Sequence, residues 1–336
     1  MIDAIHFRSH IMLIVLGIDT EGRKHVLGMR QGATENTAVV RELIADGVHL
    51  HPAVLRTAFA WHGLPRPVQI VQRSVALPWQ ALDWRGLPEA EQADRFDALL
   101  ENERRHPVDL TAPPLLRCTL VRCGDAAYRF ALHSHHILFD GWCTGLLAAD
   151  VFALYNASVA GRPHAAAPPR PYRDFIAWLA TRDRAAAEAY WRRALHGFRQ
   201  PTRLARQPAV RDYDASRFST HVAHVSAATT AALGEAARQH RLTQGVYLQA
   251  AWALLLGHLS GEDDIIFGTT VSGRPPALAG VESMIGLFVN NLPMRVRLDA
   301  GLPARAWLQA LHAQQVERDE YAYTSLVDIQ RWSALP

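Results

Sequence analysis

Three histidines fall within four positions, His133, His135 and His136, where an alternating run that begins at Tyr128 comes to its end. The chain continues Ile137-Leu138-Phe139-Asp140-Gly141-Trp142. An imidazole ionises near neutral pH, so histidine at a strand end suits a general base. The acid four residues after His136 can hydrogen-bond or ion-pair to fix the loop. The glycine behind it marks a tight turn and bares a backbone N–H to a reacting carbonyl. From spacing alone, a pair of surface histidines beside a turn aspartate fits equally well.

The elements that position this run follow from periodicity. Between residues 51 and 160, strands are predicted at 67–71, 115–121 and 128–133, and helices at 89–105 and 144–160. Residues 162–171 carry Pro163, Pro168, Pro169 and Pro171 and read as a linker. One long helix is predicted over 172–195, with Trp178 and Trp191 packed in the core, as is Trp252 further on. A second mixed unit follows, with strands at 220–225, 264–270 and 291–296 and helices at 227–240, 243–259 and 304–321. Two α/β lobes joined by a proline-containing linker is the predicted architecture. The first fifty residues differ in texture. Strands at 11–18 and 24–29 flank the turn Asp19-Thr20-Glu21-Gly22, and a helix capped by Thr34 runs to residue 45.

Composition narrows the function classes. Apolar residues make up 49% and charged residues 20% of 336, the balance of a soluble globular protein. No apolar run approaches the roughly 20 residues of a membrane helix, and Ile11–Leu16 lacks the flanks of a secretory signal, so a cytoplasmic location is expected. The net charge of +3 comes from arginines interspersed with acids, Lys24 being the lone lysine. Nucleic acid is therefore not an expected partner. Cys118, Cys123 and Cys143 have neither disulfide nor metal spacing and read as bystander thiols, with no metal site.

The run His135-His136-x-x-x-Asp140-Gly141 resembles the signature shared by chloramphenicol acetyltransferase, wax ester synthases and the condensation domains of nonribosomal peptide synthetases, and its continuation into Trp142 resembles the condensation branch. Other segments agree in order: His51 to Phe59 with Arg56, Leu82-Asp83-Trp84-Arg85, Pro114 to Arg117, Tyr172 to Leu179, Ser272-Gly273-Arg274, Met284 to Pro293 with Asn290, and Leu326 to Trp332. Heterocyclisation domains carry aspartate in place of the histidines. Epimerisation domains differ after the motif aspartate, and wax ester synthases lack the Ser272-Gly273-Arg274 and Phe288-to-Pro293 segments.

The resemblance implies an α/β, two-lobed chloramphenicol acetyltransferase-like sandwich. Residues 49–170 would form the first lobe and 171–336 part of the second. It also implies amide formation by a nonribosomal peptide synthetase. Carrier domains would enter a tunnel between the lobes from opposite faces, presenting substrates on 4'-phosphopantetheine arms, with adenylation domains as neighbours and no cofactor bound to the domain itself. The acceptor amine would attack the donor thioester. His136 would take the amine proton or hold the amine in line, and the Gly141 N–H would stabilise the oxyanion. Asp140 would pair with Arg56 and keep the loop in shape, with His135 and Trp142 as support. Ser272, Arg274 and Asn290 would lie on the second-lobe side of the tunnel, bracing loops.

Both ends depart from that pattern. Residues 1–46, with Gly17-Ile18-Asp19 to Leu27-Gly28, resemble a fragment of a mutator-family transposase, whose remaining metal-binding acids this sequence does not contain, and residues 1–48 would form that fragment's hairpin and helix. The family's opening strand and helix would thus be replaced and the second lobe incomplete. The alternatives to an active enzyme are an inactive truncated remnant of a synthetase gene or a non-catalytic carrier-docking module.

Overall fold

The computed structural model describes residues 10–14, 16–18, 24–26, 52–106, 108–125, 127–162, 170–198, 201–203 and 223–333. The chain folds as two compact units. One comprises His6–Ala180 with Arg274–Phe288, and the other comprises Thr181–Gly273 and Val289–Pro336.

In the first unit, the described strands are β1 (His10–Ile14), β2 (Leu16–Ile18), β3 (Lys24–Val26), β4 (Thr57–Ala60), β5 (Val68–Val71), β6 (Trp79–Asp83), β7 (Leu116–Arg122) and β8 (Tyr128–His135). The helices are α1 (Glu89–Arg105), α2 (Gly141–Val159) and α3 (Arg173–Ala180). A four-stranded sheet runs in the order β1-β8-β7-β6, antiparallel except for the β6–β7 pair. β8 has β7 on one side and β1 on the other, with His10 opposite His135. The apolar run over 11–18 is therefore not one hairpin arm. Its first half joins the sheet that carries the histidines, and only Leu16–Ile18 pairs with Lys24–Val26. The helix expected from Thr34 lies outside the described residues.

Alternation along β7 and β8 sorts side chains to two faces. Phe96 and Leu100 of α1 pack with Val121 and Ala131 on one face. Leu116, Cys118, Leu138 and Cys143 form a core with Ile285, which places the 274–288 segment inside this unit. Met284 and Phe288 pack on Phe175 of α3, adding a second anchor.

The second unit contains α4 (Arg184–Ala194), α5 (Ala227–His240), α6 (Gln244–Ser260), β9 (Asp264–Val271), β10 (Asn290–Arg297), α7 (Ala304–Asp319) and α8 (Leu326–Trp332). β9 and β10 pair antiparallel from Asn290↔Val271 to Arg297↔Asp264. Val246, Ala250 and Ala253 of α6 meet Ile265 and Met294 of this ribbon. Trp191 is buried among Ile266, Leu292 and Ile329.

Three further expectations fail here. The single helix over 172–195 is two, because the Asp183 carboxylate accepts the Ala186 N–H at 2.9 Å and starts a fresh helix as its N-cap. Residues 223–225 carry no strand, the remainder of that prediction falling outside the described residues. Trp252 is 45% exposed rather than core, because it sits on the face of α6 opposite Ala250 and Ala253.

Candidate functional site

β8 ends at His135, and His136 and Ile137 form the turn that follows. The Leu138 N–H donates to the His135 carbonyl at 3.1 Å. The Ile137 N–H donates to His135 Nδ1, also at 3.1 Å, so Nδ1 is an acceptor and the ring proton of the neutral form sits on Nε2. His135 thereby pins the turn with its own ring, and His136 next to it is half-buried.

Leu138 and Phe139 then enter the core, 0% and 2% exposed, and pull Asp140 inside with them. A carboxyl group 1% exposed must be met by donors, because burying an unmet charge is costly. The 274–288 segment supplies them. The Phe288 N–H donates to Asp140 Oδ2 at 2.9 Å, and Arg274 Nη2 lies 3.5 Å from Oδ1. The Cys143 N–H approaches Oδ1 at 3.4 Å, so Asp140 also caps α2.

Arg274 is itself enclosed, its side chain 5% exposed. Nη1 donates to the carbonyls of Val281 and Met284. Its guanidinium lies 3.9 Å from the Phe288 ring centroid and 5.5 Å from that of Trp142. Trp142 donates its indole N–H to the Glu282 carbonyl at 2.9 Å. The 274–288 segment thus forms a strap over the turn, closed by Gly286, whose carbonyl accepts the Asp140 N–H at 3.3 Å. A Cβ on Gly286 would collide with the Tyr172 ring, so only glycine fits there. Tyr172 donates its hydroxyl to the Leu287 carbonyl at 2.6 Å, and burial pushes that phenol well above its usual range.

Gly141 is the first residue of α2 and is exposed. Its N–H has no acceptor within the helix, as for every first-turn amide, and the helix dipole favours negative charge there. A Cβ at this position would meet nothing within 4 Å, so a reacting group has room to come close. The arrangement is a half-buried imidazole beside a helix N-terminus whose preceding aspartate is locked in place. Such a site can orient a nucleophile and stabilise an oxyanion.

The structure thus joins Asp140, Trp142 and Arg274 around one contact set. Arg274, expected on the second-lobe side, folds with the motif because Ile285, Met284 and Phe288 anchor its segment in the same unit. The arginine at Asp140 is Arg274 and not Arg56. The Arg56 Nη1 donates instead to the carbonyls of Gln72 and Arg73, tying the start of β4 to the end of β5. His133 lies 3.4 Å through Nδ1 from Glu103 Oε2, a carboxylate that Arg117 also holds.

Ser272 and Asn290 belong to the other unit. Ser272 is exposed just after β9. The Asn290 amide donates to the carbonyls of Ala322 and Thr324 at 2.8 and 2.7 Å, bracing β10 against the turn after α7. The sequence reading took Cys143 for a bystander thiol and assigned no site role to Gly286 or Tyr172. The three-residue spacing from Asp140 to Cys143, that of an N-cap and its N3 amide, was the available signal. Among the described residues, no cluster of histidine, cysteine or carboxylate side chains has metal-binding geometry, and no helix is long and apolar enough to cross a membrane.

The model of the family described as "Condensation domain" matches residues 29–336. Chondramide synthase cmdD from Chondromyces crocatus is 40% identical over 87% of the chain, which spans 7% of that protein. Tyrocidine synthase 2 from Brevibacillus parabrevis is 30% identical over 96% of the chain, which spans 9% of it. Among solved structures, the X-domain from teicoplanin biosynthesis superposes with a TM-score of 0.77 at 22% identity, over 97% of this chain and 69% of that one. That likeness establishes the chloramphenicol acetyltransferase-like α/β fold. The transposase resemblance of residues 1–46 gains no support, since the family match already takes in the chain from residue 29 and β1 pairs with the motif strand.

Proposed function

This chain belongs to the condensation-domain family, and on that premise we propose that it joins two carrier-bound substrates through an amide bond in nonribosomal peptide synthesis. The donor is an acyl or aminoacyl thioester and the acceptor an aminoacyl thioester. Each arrives on the 4'-phosphopantetheine arm of a carrier domain, and adenylation domains that load those carriers are further neighbours. The cytoplasm is the compartment this assigns. The amine nitrogen attacks the donor carbonyl, the carbon–sulfur bond breaks, and the amine proton is taken up as the free thiol leaves.

His136 orients the attacking amine and accepts its proton, and the Gly141 N–H at the start of α2 receives the oxyanion. His135, Asp140, Arg274 and Trp142 hold the turn between them. Arg56 shapes the neighbouring β4–β5 ribbon, and Ser272 and Asn290 support loops of the other unit. The observation that carries this reading is the buried Asp140, fixed by Arg274 and Phe288 immediately before an exposed Gly141. Effort of that kind to immobilise a turn fits a reacting site better than a bland loop.

The test uses two separately loaded carrier proteins. Mass of the acceptor-bound product reports transfer of the donor group to the acceptor amine. A product on the acceptor carrier supports the proposal. Hydrolysis of the donor alone, with no amide, contradicts it.

A further inference from the structure

Cys143 is 0% exposed and lies two residues after Gly141 in the first turn of α2. An apolar neighbourhood is the usual setting for such a thiol. Here Sγ is surrounded by polar atoms of the strap and the motif. The Gly286 carbonyl lies 3.2 Å away, the Asp140 Oδ1 3.4 Å, the Gly286 N–H nitrogen 3.4 Å and Arg274 Nη2 3.1 Å. A thiol can donate once and accept weakly, and this set uses both capacities. The Gly286 carbonyl is the nearest acceptor for its S–H, ahead of Asp140 Oδ1 and the Met284 carbonyl at 3.7 Å, and its lone pairs face the Gly286 N–H and the guanidinium.

We propose that Cys143 is a positioning residue for the condensing activity proposed above, its thiol clamping Gly286 and Arg274 against the Asp140–Gly141 turn. The clamp acts through atoms already assigned. Gly286 also accepts the Asp140 N–H, and Arg274 also faces the Asp140 carboxyl. A shift at Sγ therefore moves both contacts that set the direction of the Gly141 N–H. Burial, with the Asp140 carboxylate beside it, raises the thiol pKa, so it remains an S–H donor at neutral pH. It is no nucleophile, and no covalent step passes through it.

Three substitutions separate polarity from volume. Cys143→Ser keeps one donor and its lone pairs, Cys143→Val keeps the volume without polarity, and Cys143→Ala keeps neither. In the carrier-to-carrier assay, the clamp predicts that Ala and Val each lower kcat by about tenfold with KM unchanged, and that Ser restores most of it. A packing role predicts the reverse order, with Val close to the parent and Ser impaired. That order would overturn the proposal.

Amide hydrogen exchange over 140–143 and 286–288 gives a readout independent of turnover. Protection should fall in Ala and Val and persist in Ser. Equal protection in all three overturns the clamp even where no amide is formed. Loss of amide synthesis in the parent chain with the exchange pattern intact would instead sink the functional reading alone.

Discussion

Arg274 and Asp140 stand 134 positions apart in sequence, yet Nη2 of the first lies 3.5 Å from Oδ1 of the second, with the side chains only 5% and 1% exposed. The pair closes the 274–288 strap over the turn that leads into α2. Removing one partner of a buried pair strands the other charge. Arg274→Ala should therefore cost on the order of 3–5 kcal/mol in denaturant unfolding. Arg274→Lys should recover only a fraction, because an ammonium cannot serve Asp140, Val281 and Met284 from one planar fork. A loss below about 1 kcal/mol for the alanine variant would show that the strap is held elsewhere.

Arg56 should behave independently of that pair. Its guanidinium is engaged with the Gln72 and Arg73 carbonyls. Arg56→Ala and Asp140→Asn should then add to within about 0.5 kcal/mol in a double-mutant cycle. A coupling well beyond that value would reinstate an Arg56–Asp140 partnership.

Gly286 has no room for a side chain. With the Tyr172 ring occupying the place where Cβ would stand, Gly286→Ala should destabilise by roughly 1–3 kcal/mol. Tyr172→Ala in the same chain should relieve part of that cost, which an unfolding series would read directly. An alanine variant as stable as the parent contradicts the packing.

How far the sequence foretold these features depended on sequence distance. α1 over Glu89–Arg105 and α5 over Ala227–His240 could be read from local apolar periodicity, because each buries one face on a neighbouring element. β8 was visible up to the histidines for the same reason. β6 (Trp79–Asp83) was missed, since its exposure pattern lacks clean alternation and it is defined by a parallel partner, β7. The break between α3 and α4 was hidden because Thr181-Arg182-Asp183 contains no glycine or proline, and only the capping role of Asp183 marks it. Within the site, the histidine–aspartate–glycine run was readable as types and spacing. Its arginine was misassigned, because pairing across 134 residues is set by how the strap folds back and not by any local pattern.

Acid should loosen the second unit through Asp264. Hydrogen bonding from Arg295 holds that carboxyl below its ordinary 3.8, with burial opposing. A lowered folded-state pKa means the contribution is complete above about pH 4 and is lost as pH falls through the folded value. Asp264→Asn should flatten this part of the stability-against-pH curve below about pH 4. An unchanged acid limb would remove Asp264 as its source.

The three thiols should differ in reactivity. Burial pushes Cys118 up to about 12 and also raises Cys143, and both are enclosed. Cys123 is raised too, yet it is only partly covered. Alkylation of the native chain at neutral pH should label Cys123 first, with the other two reacting only on unfolding. Mass mapping of the labelled peptides checks the order, and early modification of Cys143 would contradict the enclosed site.

The role of His136 is tested by comparing the parent chain with His136→Ala in carrier-to-carrier amide synthesis, with far-ultraviolet circular dichroism confirming that both are folded. Acceptor-bound amide is expected from the parent and none above background from the variant, with equal spectra. Amide formation that survives loss of the His136 imidazole would contradict it.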